Sequence, residues 1–157
     1  MMRPAHLPAL GVVCALGRGK VQVADALFRG DTSGLVIEPG WLHGREARVG
    51  RVPGELAPLP PAFAKDDSRN TRLLLMALEE IRDQVEDAVS RHGRERVGVV
   101  LGTSTSGIEA TERAVAHRVQ HGAFPEAFHY QQQEIGCLGP FLAEYLGLRG
   151  PAITVST

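Results

Sequence analysis

The 157-residue sequence is short of several things that would narrow its role at once. It has only two cysteines, Cys14 and Cys137, set far apart in apolar surroundings (VVCAL and IGCLG). With no Cys-x-x-Cys pair and no histidine beside either, they read as buried reduced thiols; neither disulfide framework nor local activation of a nucleophile is indicated. Charge of either sign is not in excess, because the formal net charge is -1. That removes the basic footprint expected of a nucleic-acid binder. No apolar run approaches the ~20 residues of a membrane span, and no signal-peptide core follows Met1-Met2-Arg3-Pro4, so the expected location is the cytoplasm. Internal repeats and low-complexity tracts are missing too. What is present is 43% hydrophobic and 22% charged residues, the balance of a soluble globular chain. The length suits one domain or part of a larger one.

Along the chain, helical and extended patterns alternate. Leu10 to Ala15 reads as a short buried strand closed by Gly17 and Gly19, and Val21 to Phe28 as a helix ended by Gly30. Asp31 to Pro61 is rich in Gly, Pro and Arg and reads as an excursion of loops and a hairpin, with an extended piece at Arg48 to Val52. The clearest helix runs from about Ser68 to Ser90. Asp67 or Ser68 is its cap, and Leu74, Leu78, Ile81, Val85 and Ala88 follow the three-and-four spacing of a buried face. Its start, Leu73 to Leu78, is apolar all round, which predicts burial on more than one side. Val97 to Leu101 is a continuous apolar strand of the kind covered on both faces of a sheet. A small-residue turn, Gly102 to Gly107, then leads into a helix over about Ile108 to Val119. A further helix over about Gln133 to Leu146 ends at Gly147, and a closing strand spans Ala152 to Val155. The order predicts an α/β domain with a largely parallel sheet.

Two groups of residues could carry chemistry. The Gly102–Gly107 turn lies between strand and helix, where backbone N–H groups can hold an anion. It lacks the lysine of a phosphate loop, with Ile108 and Glu109 in its place, and G-x-G-x-x-G is absent. The preferred reading is a tight turn whose small residues let another segment, or an extended ligand, approach the backbone. His117 and His121 share a helix face at metal-ligand spacing, with Glu112 or Glu126 as an imaginable third ligand. Without H-E-x-x-H, and beside Arg113, Arg118 and Gln120, they read as a solvated face. No Ser-His-Asp, Cys-His or paired-carboxylate pattern stands out.

Longer stretches carry a resemblance. LGVVCALG (10–17), VQVADALFRGDTSGL (21–35), SRNTRLLLMALEEI (68–81), RVGVVLGTSTSGIEATE (96–112) and YLGLRGPAITVST (145–157) occur in that order, and the last is the most specific. Together they resemble the N-terminal half of a β-ketoacyl-[acyl-carrier-protein] synthase, a condensing enzyme of fatty-acid and polyketide synthesis. Apart from the excursion at about 31–64, the resemblance spans nearly the whole of residues 1–157.

The resemblance implies an α/β, thiolase-like fold of βαβαβαββ type, with a mixed sheet and buried helices between layers. It also implies decarboxylative condensation of an acyl thioester with a malonyl-carrier protein, with no cofactor and no metal. The catalytic cysteine is expected just after Thr157, and two histidines further on; Cys14 and Cys137 do not match it, so this stretch alone is expected to be inactive. Thr105 falls at the family's acyl-pocket gate and Ile108 one helical turn along the pocket wall, so both are expected to bind substrate. Expected partners are acyl carrier protein, acyl and malonyl thioesters, and a second subunit in a homodimer or a related heterodimer. A non-catalytic chain-length-factor-like subunit is the alternative. The serine- and threonine-rich gate turn, and Gln132-Gln133-Glu134-Ile135-Gly136 in place of an Asn-containing stretch, depart from the family's pattern, which leaves a polyketide or aryl-polyene pathway open beside a fatty-acid one.

Overall fold

The structure is a computed structural model that describes residues 5–156. The expected cysteine beyond Thr157, and Thr157 itself, therefore lie outside the described residues. The chain divides into two compact units, one made of the residues up to Glu55 with Leu75–Arg82, the other of Leu56–Leu74 and everything from Asp83 on.

In the first unit, β1 (Val13–Cys14) and β2 (Gly17–Arg18) form a minimal antiparallel pair before α1 (Lys20–Phe28). The strand expected over Leu10 to Ala15 is thus only two residues long, because the chain doubles back at Ala15-Leu16 and Gly17 takes a φ of 137°. β3 (Leu35–Leu42) and β4 (Arg45–Gly50) make an antiparallel hairpin inside the loop-rich excursion, with an irregularity between Glu38 and Leu42.

The single helix expected over Ser68 to Ser90 is two helices, α2 (Arg69–Glu79) and α3 (Arg82–His92). Between them the backbone tightens, with Glu80 N–H bonding Ala77 O at 3.3 Å and Ile81 N–H bonding Leu78 O at 3.0 Å. Gly11 packs against the same Ala77 carbonyl so closely that a Cβ there would lie 2.2 Å from its oxygen. The periodicity continues through this break because a tightened turn barely disturbs the spacing of apolar positions. At the start of α2, Ser68 is the cap. Its Oγ accepts from Thr71 N–H at 3.2 Å, and Thr71 Oγ1 accepts from Ser68 N–H at 2.9 Å. Both residues are buried.

The rest of the second unit is built on β5 (Val99–Thr103), α4 (Ile108–His121), α5 (Leu138–Leu146) and β6 (Ala152–Ser156). β5 and β6 pair in parallel, from Val99 opposite Ala152 to Thr103 opposite Ser156. α5 packs on this pair and supplies a large share of the unit's core, with Leu138, Phe141, Leu142 and Ala143 buried. Phe63 meets Phe141 edge-on at 5.7 Å between ring centres and Tyr145 at 5.6 Å. Within residues 5–156 one face of β5 is covered, with Val99 7% exposed and Val100, on the opposite face, 72% exposed. Parallel pairing is confined to β5–β6 among the described residues, the other two pairs being antiparallel, so the α/β fold is mixed.

The helix expected from Gln133 begins instead at Leu138. Residues Tyr130–Gln133 and Ile135–Cys137 form two short 3-10 turns separated by an extended Glu134 (φ -65°, ψ 125°). Glu134's carbonyl accepts from Cys137 N–H at 3.2 Å, a three-residue bond in place of the helical four-residue one. Among the described residues no helix is long and apolar enough to cross a membrane.

Candidate functional site: the turn between β5 and α4

The turn joining β5 to α4 carries both residues that the sequence assigns to an acyl pocket. Thr105 sits exposed in the turn and Ile108 opens α4 half exposed, with Ile108 N–H bonded to Thr105 O at 3.3 Å. Between them, Ser106 and Gly107 are buried.

Ser106 holds a φ of 47°, the one positive value at a non-glycine among the described residues. An L-residue in that region costs on the order of 1–3 kcal/mol, so surrounding contacts must hold it there. Three do. Ser106 N–H donates to Thr103 Oγ1 at 3.0 Å, which closes the turn locally. Ser106 Oγ donates to the Glu134 carbonyl at 3.0 Å and lies 3.9 Å from Cys137 Sγ.

Gly107 explains what the small residues are for. A Cβ at this position would lie 2.0 Å from the Gln132 carbonyl oxygen and 3.1 Å from Ser68 Cβ. The approach of another segment to the turn's backbone, preferred from the sequence over an anion site, is what the structure shows, with a carbonyl filling the space by the start of α4. One turn further on, Thr111 Oγ1 donates to Gln133 Oε1 at 2.8 Å. Gln132 is itself buried, and its Nε2 donates to Asp67 O at 3.1 Å and to Ala127 O at 3.3 Å. The run Gln131-Gln132-Gln133-Glu134, polar in sequence, is the scaffold against which the turn is built.

Cys137 stands at the amino end of α5, a position that favours a thiolate through the helix dipole. Burial overrides this and pushes its thiol up; the Ser106 hydroxyl opposes that rise, and the nearby Asp66 and Glu134 charges add to it. Cys137 therefore stays protonated and packs as a small apolar group. Asp66 is 1% exposed, and neither carboxyl oxygen has a hydrogen-bond partner among the described residues. Burial raises its pKa, which Lys65 counters and Glu144 reinforces.

At the carboxyl end of the unit, Thr154 Oγ1 accepts from Gly139 N–H at 2.9 Å and donates to Gly136 O at 3.0 Å, so β6 is tied to the start of α5. The histidines of α4 lie together, with His117 and His121 ring centres 4.4 Å apart and His117 Nδ1 2.9 Å from the Ala123 carbonyl. No group of three or more metal-ligating side chains gathers around them or elsewhere among the described residues. The sequence reading names Ser106 and Gln132 only within longer runs and singles out neither Asp66 nor Thr154.

No family model matches the chain, and no curated protein does. Solved structures do. One is the ketosynthase ApeO in complex with its chain length factor ApeC from Xenorhabdus doucetiae, at 42% identity and a TM-score of 0.88 over 95% of this chain. A second is the ishigamide ketosynthase/chain length factor, at 18% identity and a TM-score of 0.66 over 94% of this chain, a likeness of fold alone. The chain spans 38% of the length of each matched chain.

Fold and turn together define a piece of the thiolase-like class. Within that class its likeness is to the ketosynthase and chain length factor proteins, and the family resemblance drawn from its sequence holds.

Proposed function

We propose that the protein carrying this chain is a 3-oxoacyl-[acyl-carrier-protein] synthase that works beside a related subunit. The observation that carries the reading is the 42% identity, over 95% of the chain, to a ketosynthase–chain length factor complex. In this reading β6 leads into a cysteine beyond Thr157 at the start of a buried helix, where the dipole favours the thiolate. The thiolate attacks the acyl-carrier thioester and expels the carrier thiol. Decarboxylation of the malonyl-carrier thioester releases carbon dioxide and leaves a carbanion, which attacks the acyl-cysteine, forms the carbon–carbon bond and returns the thiolate. Two histidines supplied from beyond this chain stabilise the developing charge. Thr105 is the gate of the acyl pocket and Ile108 its wall, which their exposed positions on a fixed turn support. Acyl carrier protein and acyl and malonyl thioesters are the partners, in the cytoplasm. The raised pKa of Cys137 fits its exclusion as nucleophile.

A chain-length-factor role is the second reading, favoured by the presence of such a subunit in the matched complex. Mass spectrometry of the full-length protein with its partner, after incubation with an acyl-carrier thioester, separates the two. Acyl on a cysteine soon after Thr157 is the expected result. A folded protein that stays unacylated, yet sets the partner's product length, is a chain length factor; acyl on Cys14 alone sinks both readings. Replacing Thr105 with Phe is expected to shorten the accepted acyl chain, and an unchanged product profile removes Thr105 as gate.

A further inference from the structure

Ser106 stands between the gate and wall residues, Thr105 and Ile108, in a backbone conformation that its own Cβ disfavours. Glycine is the usual solution at such a position, because it adopts a positive φ without strain. A serine is the opposite choice: it is strained there unless something holds it, and here its side chain supplies the hold. The hydroxyl donates 3.0 Å to the carbonyl of Glu134, 28 residues along the chain. Glu134 is a fixed anchor, because its carbonyl also closes the 3-10 turn to Cys137 N–H. Gly107, tight against the Gln132 carbonyl, and Thr111, bonded to the Gln133 side chain, fasten the turn to the same segment on either side.

We infer that Ser106 is the positioning residue of the acyl gate: its bond to the Glu134 carbonyl holds the turn in one conformation, so that acyl length is selected by the Thr105 side chain on a fixed backbone and not by opening of the turn. The inference rests on the reading of Thr105 as gate. It makes an unusual demand on substitutions. Ser106→Ala loses the tether and keeps the strain, so the turn relaxes to another conformation. Ser106→Gly loses both, so the original conformation stays accessible and the disturbance is smaller. A residue that merely filled space would show the reverse order, since alanine is the closer match in volume.

The test uses the full-length protein with its partner, in wild-type, Ser106→Ala, Ser106→Gly and Thr105→Phe forms, each checked for folding by circular dichroism. Hydrogen exchange at the amides of Thr105 to Ile108 is expected to quicken about 3- to 10-fold in Ser106→Ala, the range for loss of one ordinary hydrogen bond, and less in Ser106→Gly. The acyl-length profile of the product is expected to broaden in the same order. Wild-type exchange and an unchanged profile in Ser106→Ala overturn the inference. If Thr105→Phe shortens the product under those same conditions, the gate reading survives without it. If Thr105→Phe changes nothing, the gate reading falls, and the inference with it. Should Ser106→Ala fail to fold, Ser106→Gly decides: quicker exchange with a broader profile supports the tether, and wild-type behaviour in both overturns it.

Discussion

The hairpin β3–β4 and the parallel pair β5–β6 are both two-stranded, yet they are held in opposite ways. The hairpin closes through two residues, His43 and Gly44, which set Leu42 opposite Arg45, and an irregularity between Glu38 and Leu42 shifts the register of the remaining pairs. Its cross-links are local: Trp41 Nε1 donates to Glu38 Oε2 at 3.0 Å, and Arg51 pairs with Glu38. Both strands leave large side chains exposed, including Ile37 and Trp41. In β5–β6 no turn sets the register. It is fixed by α5, whose Phe141 and Leu142 are buried, and by the Thr154 hydroxyl between Gly139 and Gly136. Contacts local in sequence define the first sheet. Side-chain anchors at long sequence separation define the second.

Breaking α5 gives the largest separation between the two. Phe141→Ala removes a ring that is 2% exposed and is expected to cost about 3–5 kcal/mol. Denaturant titration with hydrogen exchange checks it: protection at Val99–Thr103 is lost well before protection at Leu35–Gly50, and simultaneous loss contradicts the comparison. Thr154→Val is a finer probe. It leaves Gly139 N–H without its acceptor and is expected to cost about 1–3 kcal/mol, read as a lower denaturant midpoint for the β5–β6 signal alone.

The smallest effect is one of sign. Asp66 has a raised pKa, so the folded chain binds its proton more tightly than the unfolded chain does; its contribution is most favourable at low pH and is lost as pH rises above the ordinary carboxylate value of 3.8. Asp31, just before the hairpin, has a lowered pKa because the Ser33 backbone N–H and then its hydroxyl bond the carboxylate, so its contribution is present above 3.8 and is lost on acidification. Acid titration of Asp66→Asn and Asp31→Asn is expected to remove pH dependences of opposite slope, followed by melting temperature at each pH. Equal slopes would dissolve the contrast.

Legibility in the sequence follows the same division. The hairpin segment, α1, α4 and β6 were visible to within a few residues, because turn residues and apolar periodicity are local signals. The break at Glu80-Ile81 was not, since its causes are a tightened backbone and the approach of Gly11, distant in sequence. The start of α5 was placed too early for a related reason. Gln133 to Cys137 has helix-compatible composition, but the carbonyl of Glu134 is engaged by Ser106 Oγ from the far side of α4. Of the site, Thr105 and Ile108 came from family resemblance. The conformation that holds them depends on a dihedral angle and a bond spanning 28 residues, neither of which composition encodes.

The parallel register of β5 with β6 also has a consequence in time. During synthesis the apolar strand Val99–Thr103 leaves the ribosome about 50 residues before its partner, a delay of roughly 3–10 s at ordinary elongation rates of about 5–20 residues per second. Throughout that interval both of its edges and its valines lack the partner strand, while the hairpin upstream has already closed. The nascent chain thus passes through a window in which β5 is an unpaired apolar strand.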